Sequence, residues 1–273
     1  MAVITLLTDF GMADGYVGIM KGVILGICSD AVIVDIAHDV PRHDITMASL
    51  VLGSAWRYFP RGTVHIAVVD PGVGSARRPL ALRADGHYFA GPDNGLFTMV
   101  IDDAREWIAV ELTKTEYFLP RRGQTFHGRD VFAPVAARIA TGARLDDLGQ
   151  RITDPIRLAV LRPERSEDMV RGHVVYIDAF GNLVTNIRAE DIAGAESDVR
   201  FEIGRYVVRS VSGSYADAGE GELLAIVGSW GMIEIAANRG SARDRTGARS
   251  GDPVVAHLEP EVPTLPEPDS GRR

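Results

Sequence analysis

The chain of 273 residues holds one cysteine, Cys28, and only two lysines, Lys21 and Lys114. A single cysteine excludes an internal disulfide and any thiolate-based metal cluster. No Gly-Lys-Ser/Thr occurs, so a phosphate loop is excluded, and Schiff-base chemistry has few amines to draw on. No run reaches the ~18 apolar residues needed to span a bilayer. The apolar segment Ala2 to Leu7 is short and has no basic flank, which makes a poor signal peptide and a good first strand. The expected compartment is therefore the cytoplasm. Positive charge is also scarce: 29 Lys+Arg against 37 Asp+Glu leave a net charge of −8. That balance argues against nucleic acid or an anionic membrane as a partner. None of the seven histidines makes a metal-ligand spacing, so no metal is expected. What is present, 46% hydrophobic and 24% charged residues, is the composition of an ordinary globular chain. Its chemistry falls to carboxylates, histidine, arginine and the backbone.

The length predicts roughly two domains. Val3 to Thr8, Ala31 to Ile36 and Val64 to Val69 read as strands, the first two as buried ones. Tyr16 to Cys28 and Ile45 to Phe59 read as helices between them, the second with Asp44 as N-cap and Pro60 as stop. Strand, helix, strand, helix, strand predicts a doubly wound α/β unit, with its ligand beyond the carboxyl ends of the strands, where Asp9 and Asp70 lie. After about Pro163 the texture changes to short apolar runs punctuated by Gly, Asn and Asp, which predicts a small all-β barrel or sandwich. The expected organisation is an α/β domain over 1–163, a linker around 156–168, a β-barrel domain over 169–258 and a disordered proline-rich tail over 259–273.

Several segments carry polar groups suited to chemistry, and each also has a plain reading. Asp70-Pro-Gly-Val-Gly-Ser-Ala-Arg77 follows a strand but is followed by another strand from Pro79. It is therefore not a dinucleotide fingerprint, and by itself it reads as a Gly-rich turn whose Asp caps backbone amides. In Thr125-Phe-His-Gly-Arg-Asp130, Asp130 reads as the N-cap of a helix from Val131 to Ala140. His127, just ahead of that helix, would tend to be neutral and able to accept a proton. The other six histidines read as surface or packing residues. Asp178-Ala-Phe180-Gly-Asn182 reads as an Asx-rich turn or as a binding lip around an exposed aromatic. Ser229-Trp230-Gly231 reads as a hairpin turn, and Pro92-Asp93-Asn94-Gly95 as a plain turn.

Taken in order, Thr8-Asp-Phe-Gly, Asp70-Pro-Gly-Val-Gly with Arg77, Asp93-Asn-Gly, Thr125-Phe-His-Gly-Arg-Asp and Phe180-Gly-Asn-x-x-Thr-Asn resemble the S-adenosylmethionine (SAM) hydrolases. These are also called SAM hydroxide adenosyltransferases and are relatives of fluorinase and chlorinase. The resemblance runs from about Val3 to His257. It implies a Rossmann-like N-terminal α/β domain, a C-terminal β-barrel, and a homotrimer with active sites between neighbouring subunits. It also implies cleavage of SAM by water into adenosine and L-methionine, with no cofactor beyond that small-molecule substrate. By motif match the catalytic residues are Asp70, Arg77 and His127, which handle the water. Asp9 falls on the ribose hydroxyls, Asp178 near the methionine ammonium and Ser229 near its carboxylate. Phe180 and Asn182 fall around the adenosine, and Glu234 also fits the hydrolase pattern.

Departures separate the chain from the halogenase branch, which has Tyr at Asp70, Thr at Val73 and Ser at Gly128. Arginines that contact adenine and the methionine carboxylate in fluorinase align with Ala237 and Trp230. The first three groups contact or shape the halide pocket in that branch, so halide transfer is disfavoured. The alternatives are a chlorinase-like halide transferase and a non-catalytic SAM or adenosine binder. In the hydrolase reading the sulfonium leaves as a neutral thioether and needs no acid, so water must be aligned and deprotonated. Arg77 would keep Asp70 ionised, and either Asp70 or His127 would accept the proton.

Overall fold

The structure is a computed structural model and describes residues 2–120, 123–159 and 162–258. The expected tail over 259–273 lies outside the described residues. The chain divides after residue 161 into two compact units.

In the first unit the apolar run Val3–Thr8 forms β1, buried from Ile4 onward and paired in parallel on both sides. It is followed by α1 (Tyr16–Ile27), β2 (Val32–Ala37), α2 (Ile45–Ala55) and β3 (Val64–Val68). Strand alternation sends successive side chains to opposite faces. Ile4 and Leu6 of β1, with Ile66 and Val68, pack against Val17, Met20 and Ile24 of α1. Leu7 and Ala67 point the other way, toward Ala48 and Leu52 of α2 and the Trp56 that follows it. Each fully buried Leu or Ile here contributes roughly 1.5–3 kcal/mol relative to an exposed one. Asp44 caps α2 as expected, its Oδ1 accepting from Met47 N–H at 2.8 Å.

The unit continues through β4 (Pro79–Ala84), β5 (His87–Pro92), α3 (Thr98–Asp103), β6 (Trp107–Leu112), α4 (Ala133–Ala140), α5 (Leu145–Leu148) and β7 (Gly149–Ile152). The strand order is β2-β1-β3-β5-β4-β6-β7. The first four run parallel, and β4, β6 and β7 add antiparallel neighbours. The parallel strands place the loops after β1 and β3, carrying Asp9 and Asp70, on one edge. One expectation fails. The second strand is not buried: β2 is the sheet edge, with Val32 and Asp35 exposed and no residue fully covered. Its apolar pattern reflects one neighbour, not two.

The second unit is a nine-stranded, mostly antiparallel sheet with a core of its own around Phe201, Ile233, Ile235 and Val254. Its elements are β8 (Glu164–Arg165), β9 (Met169–Ile177), β10 (Leu183–Arg188), β11 (Arg200–Ile203), β12 (Tyr206–Arg209), β13 (Val211–Ser212), β14 (Leu223–Val227), β15 (Met232–Ala237), α6 (Ala242–Thr246) and β16 (Pro253–His257). The order is β12-β11-β16-β9-β10-β15-β14-β13, with β8 on β9, and β12 returns beside β14, so the sheet curls nearly into a barrel. The stretch 156–168 is not a plain linker. Ile156 N–H donates to Asp93 Oδ1 and Leu158 N–H to Thr98 Oγ1, whereas Glu164–Arg165 pairs with β9.

Candidate active site

The segment after β3 turns back on itself. Asn94 Nδ2 donates to Val69 C=O at 2.9 Å and pins the strand end. Val73 N–H bonds Asp70 C=O, Ser75 N–H bonds Gly72 C=O, and Ser75 Oγ accepts from Arg77 N–H. Gly74 sits at φ +80°, and a Cβ there would lie 3.0 Å from the Gln124 carbonyl. Glycine thus permits both the left-handed turn and its close docking on the segment that carries His127. The outcome is that Arg77, seven residues on, reaches Asp70 through two groups. Nε donates to Oδ1 at 2.8 Å, and Nη2 donates to Oδ2. The side chains are 9% and 3% exposed, so this is a desolvated bidentate ion pair.

Arg77 Nη2 also lies 2.8 Å from His127 Nδ1. A guanidinium only donates, so Nδ1 accepts, and the neutral ring carries its proton on Nε2. His127 occupies the cap position of a helix that opens with a wide π-turn over Gly128–Phe132 before α4. Such turns concentrate at functional sites. This earlier start corrects the reading of Asp130 as N-cap. Asp130 lies inside the first turn, buried, with both carboxylate oxygens held by Arg129 at 2.6 and 2.9 Å.

Asp70 and His127 line an open pocket of about 220 Å³ together with Asp9, Phe10, Arg42 and His43. Asp9 Oδ2 accepts from His43 N–H at 2.9 Å. Phe10, Tyr16 and Phe126 meet edge-to-face, with centroids 5.1–5.9 Å apart. Four of the expected residues, Asp9, Asp70, Arg77 and His127, are therefore gathered in the first unit. Two lining residues were missed from sequence: Arg42 was not singled out, and His43 was read as a surface or packing residue. His43 contributes through its backbone at φ +65°, for which side-chain type gives no signal.

In the second unit, Asp178 staples the β9–β10 turn. Its Oδ1 accepts from Phe180 N–H and Asn182 N–H, and its Oδ2 from Asn182 Nδ2 at 2.9 Å. The Asx-turn reading holds, and the stapled turn leaves Phe180 79% exposed. Phe180 and Asn182 line a cavity of about 450 Å³ with Tyr215, Ala237 and Arg239. Tyr215 was not foreseen, although Ser214-Tyr-Ala-Asp217 is a capping-box pattern that the structure realises.

Glu234 alternates with the core residues Ile233 and Ile235, so it faces away from the core. Its carboxyl packs on Gly228, where any Cβ would collide with it. Burial, then the nearby Asp178 charge, push its pKa up. The same two causes raise Tyr176, whose ring stacks on Trp230 at 5.7 Å. Ser229 is exposed in the β14–β15 turn, one residue from Gly228. Among the described residues no group of three or more His, Cys, Asp or Glu is arranged to hold a metal ion, and no helix is long and apolar enough to cross a membrane.

Residues 4–149 match the SAM hydroxide adenosyltransferase N-terminal domain, and residues 172–255 match the C-terminal domain. The chain belongs to the SAM hydroxide adenosyltransferase family. It is 37% identical to an (R)-S-adenosyl-L-methionine hydrolase of Thermus thermophilus, over 93% of this chain and 99% of that one. It is 39% identical to the protein of that name from Salinispora tropica, over 91% and 95%. A fluorinase of Nocardia brasiliensis is more distant, at 30% over 88% and 91%. Among solved structures, an uncharacterized conserved protein of Thermotoga maritima superposes with a TM-score of 0.83 at 35% identity, over 93% of this chain and 99% of that one.

Proposed function

We propose that this member of the family hydrolyses S-adenosyl-L-methionine to adenosine and L-methionine, with water displacing the sulfonium at ribose C5′. The observation that carries the reading is the desolvated Asp70–Arg77 pair, joined to His127 and sharing a pocket with Asp9. The relatives' names specify the (R) sulfonium, and the reading takes that epimer as the substrate.

Methionine leaves as a neutral thioether, so no general acid and no cofactor enters. The difficulty is the nucleophile. Alignment in line with the breaking C–S bond supplies up to ~7–11 kcal/mol, whereas a general base supplies ~3–5 kcal/mol. In this reading Arg77 fixes the Asp70 carboxylate and, through His127 Nδ1, the imidazole. With Nδ1 committed to Arg77, Asp70 is the proton acceptor, and His127 orients the water through its other nitrogen. Asp9 takes the ribose hydroxyls, Phe180 and Asn182 surround the adenosine, and Asp178, Ser229 and Glu234 serve the methionine. The reading includes a Rossmann-like first domain, supported by the parallel strands with helices packed on both faces. It also includes a cytoplasmic homotrimer whose active sites combine the two domains of neighbouring subunits.

Halide transfer is the rival chemistry. A Cβ on Gly128 would lie 3.0 Å from Met20 Sδ and 3.2 Å from the Phe126 ring, so a serine there requires both to move. Incubation with SAM at saturating chloride tests the choice. Adenosine and methionine in equal amounts support hydrolysis. Formation of 5′-chloro-5′-deoxyadenosine overturns it, and tight binding without any product makes the chain a sensor.

A further inference from the structure

The loop carrying Asp9 is held from behind by a chain of polar groups that the reaction does not touch. His38, buried just past β2, places Nδ1 2.8 Å from Thr8 Oγ1. Its Nε2 lies 3.1 Å from Asp35 Oδ1, and Asp35 Oδ2 receives Lys21 Nζ at 2.6 Å. Thr8 Oγ1 accepts from Phe10 N–H at 3.3 Å, and the His38 carbonyl accepts from Gly11 N–H at 2.8 Å.

A single neutral tautomer satisfies every link. The Thr8 hydroxyl, already accepting from Phe10, donates to Nδ1, and Nε2 carries the ring proton and faces the Asp35 carboxylate at 3.1 Å. Residues 8, 10 and 11 are thus all tied to His38, directly or through Thr8, and Asp9 sits between them. Threonine, histidine and aspartate in this order resemble a nucleophile triad. Thr8 has no exposed surface, however, so no substrate reaches its hydroxyl.

We propose that His38 is a positioning residue for substrate binding: through Thr8 and its own carbonyl it fixes the backbone on both sides of Asp9 and thereby aims the Asp9 carboxylate. The inference rests on the reading that Asp9 binds the ribose hydroxyls.

Two substitutions separate the ring nitrogens. His38→Gln can still reach Asp35 but offers Thr8 no acceptor near the Nδ1 position. His38→Asn keeps an acceptor there and loses the reach to Asp35. Thr8→Val removes the hydroxyl at constant shape and repeats the first arm should His38→Gln not fold. The readout is the ratio of calorimetric affinities for adenosine and 2′,3′-dideoxyadenosine, with KM and kcat for SAM measured alongside.

The unsubstituted protein is expected to favour adenosine at least about tenfold, because a charged acceptor loses its hydroxyl partners in the analogue. His38→Gln or Thr8→Val lowers that ratio severalfold and raises KM by more than it lowers kcat, and His38→Asn restores most of the ratio. A ratio kept in full by His38→Gln and Thr8→Val, in a protein whose Asp9→Ala variant has lost it, overturns the inference and leaves the role of Asp9 standing. A ratio near one in the unsubstituted protein overturns the role of Asp9 and the inference with it.

Discussion

At the scale of single residues, the account turns on Asp70. Its carboxylate lies against Arg77 with little solvent, and its assigned partner is the attacking water. Asp70→Asn is expected to lower kcat at least about 10²-fold with KM changed less than threefold, measured by adenosine release. Equal losses in both would assign Asp70 to substrate binding instead.

A second residue bears on stability alone. His65 on β3 is fully buried, bonds Thr5 Oγ1 at 2.8 Å and stacks on Phe89 at 4.9 Å. Burial, then the neighbouring His87, lower its pKa to about 3. The unfolded chain takes up that proton near pH 6.5, so stability falls as pH drops from there toward 3, by up to ~1.4 kcal/mol per pH unit. Denaturant unfolding at pH 7 and pH 5 should show His65→Phe losing less than the unsubstituted protein by about 2 kcal/mol, the cost of one proton over roughly 1.5 pH units. Identical losses would contradict the assignment.

Residue by residue, legibility was uneven. Asp70, Arg77 and His127 were ambiguous as isolated turn or loop residues and acquired roles only through the ordered resemblance. Their meeting depends on Gly74 folding a loop onto Gln124, a tertiary fact that spacing does not encode.

At the scale of elements, β1, covered on both faces, announced itself as a continuous apolar run, and β3 lies where the third strand was expected. The edge strand β2 carries a similar run and was misread as buried, because a run records apolar content and not the number of neighbours. The helix after His127 was placed correctly in outline but begins earlier. No sequence signal marks the π-turn that draws Asp130 inside.

Strand β15 offers a test of its own. Glu234 interrupts an apolar strand on the face away from the core, with its pKa raised by burial and by Asp178. A raised carboxyl pKa stabilises the fold fully below the ordinary value near 4.3 and loses that contribution as pH rises through the shifted value. Glu234→Gln should therefore raise the melting temperature by a few degrees at pH 7 and leave it unchanged near pH 4. A gain of the same size at both pH values would point to packing instead of ionisation.

At the scale of the whole molecule, the length predicted roughly two domains, and the shift in texture after Pro163 separated a long-element half from a short-strand half. The structure divides after residue 161 into a mixed α/β unit and a nearly closed β-sheet. Oligomeric assembly leaves no periodic or compositional trace in a single chain, so the homotrimer rests on resemblance and is checked by sedimentation mass. The central claim is chemical, that a solvent molecule held by Asp70, Arg77 and His127 attacks the ribose carbon. Turnover of SAM in oxygen-18 water, followed by mass spectrometry of both products, tests it most directly. One heavy oxygen in the 5′-hydroxyl of adenosine, with none gained by methionine, is the predicted result. Unlabelled adenosine, or SAM recovered intact, would contradict it.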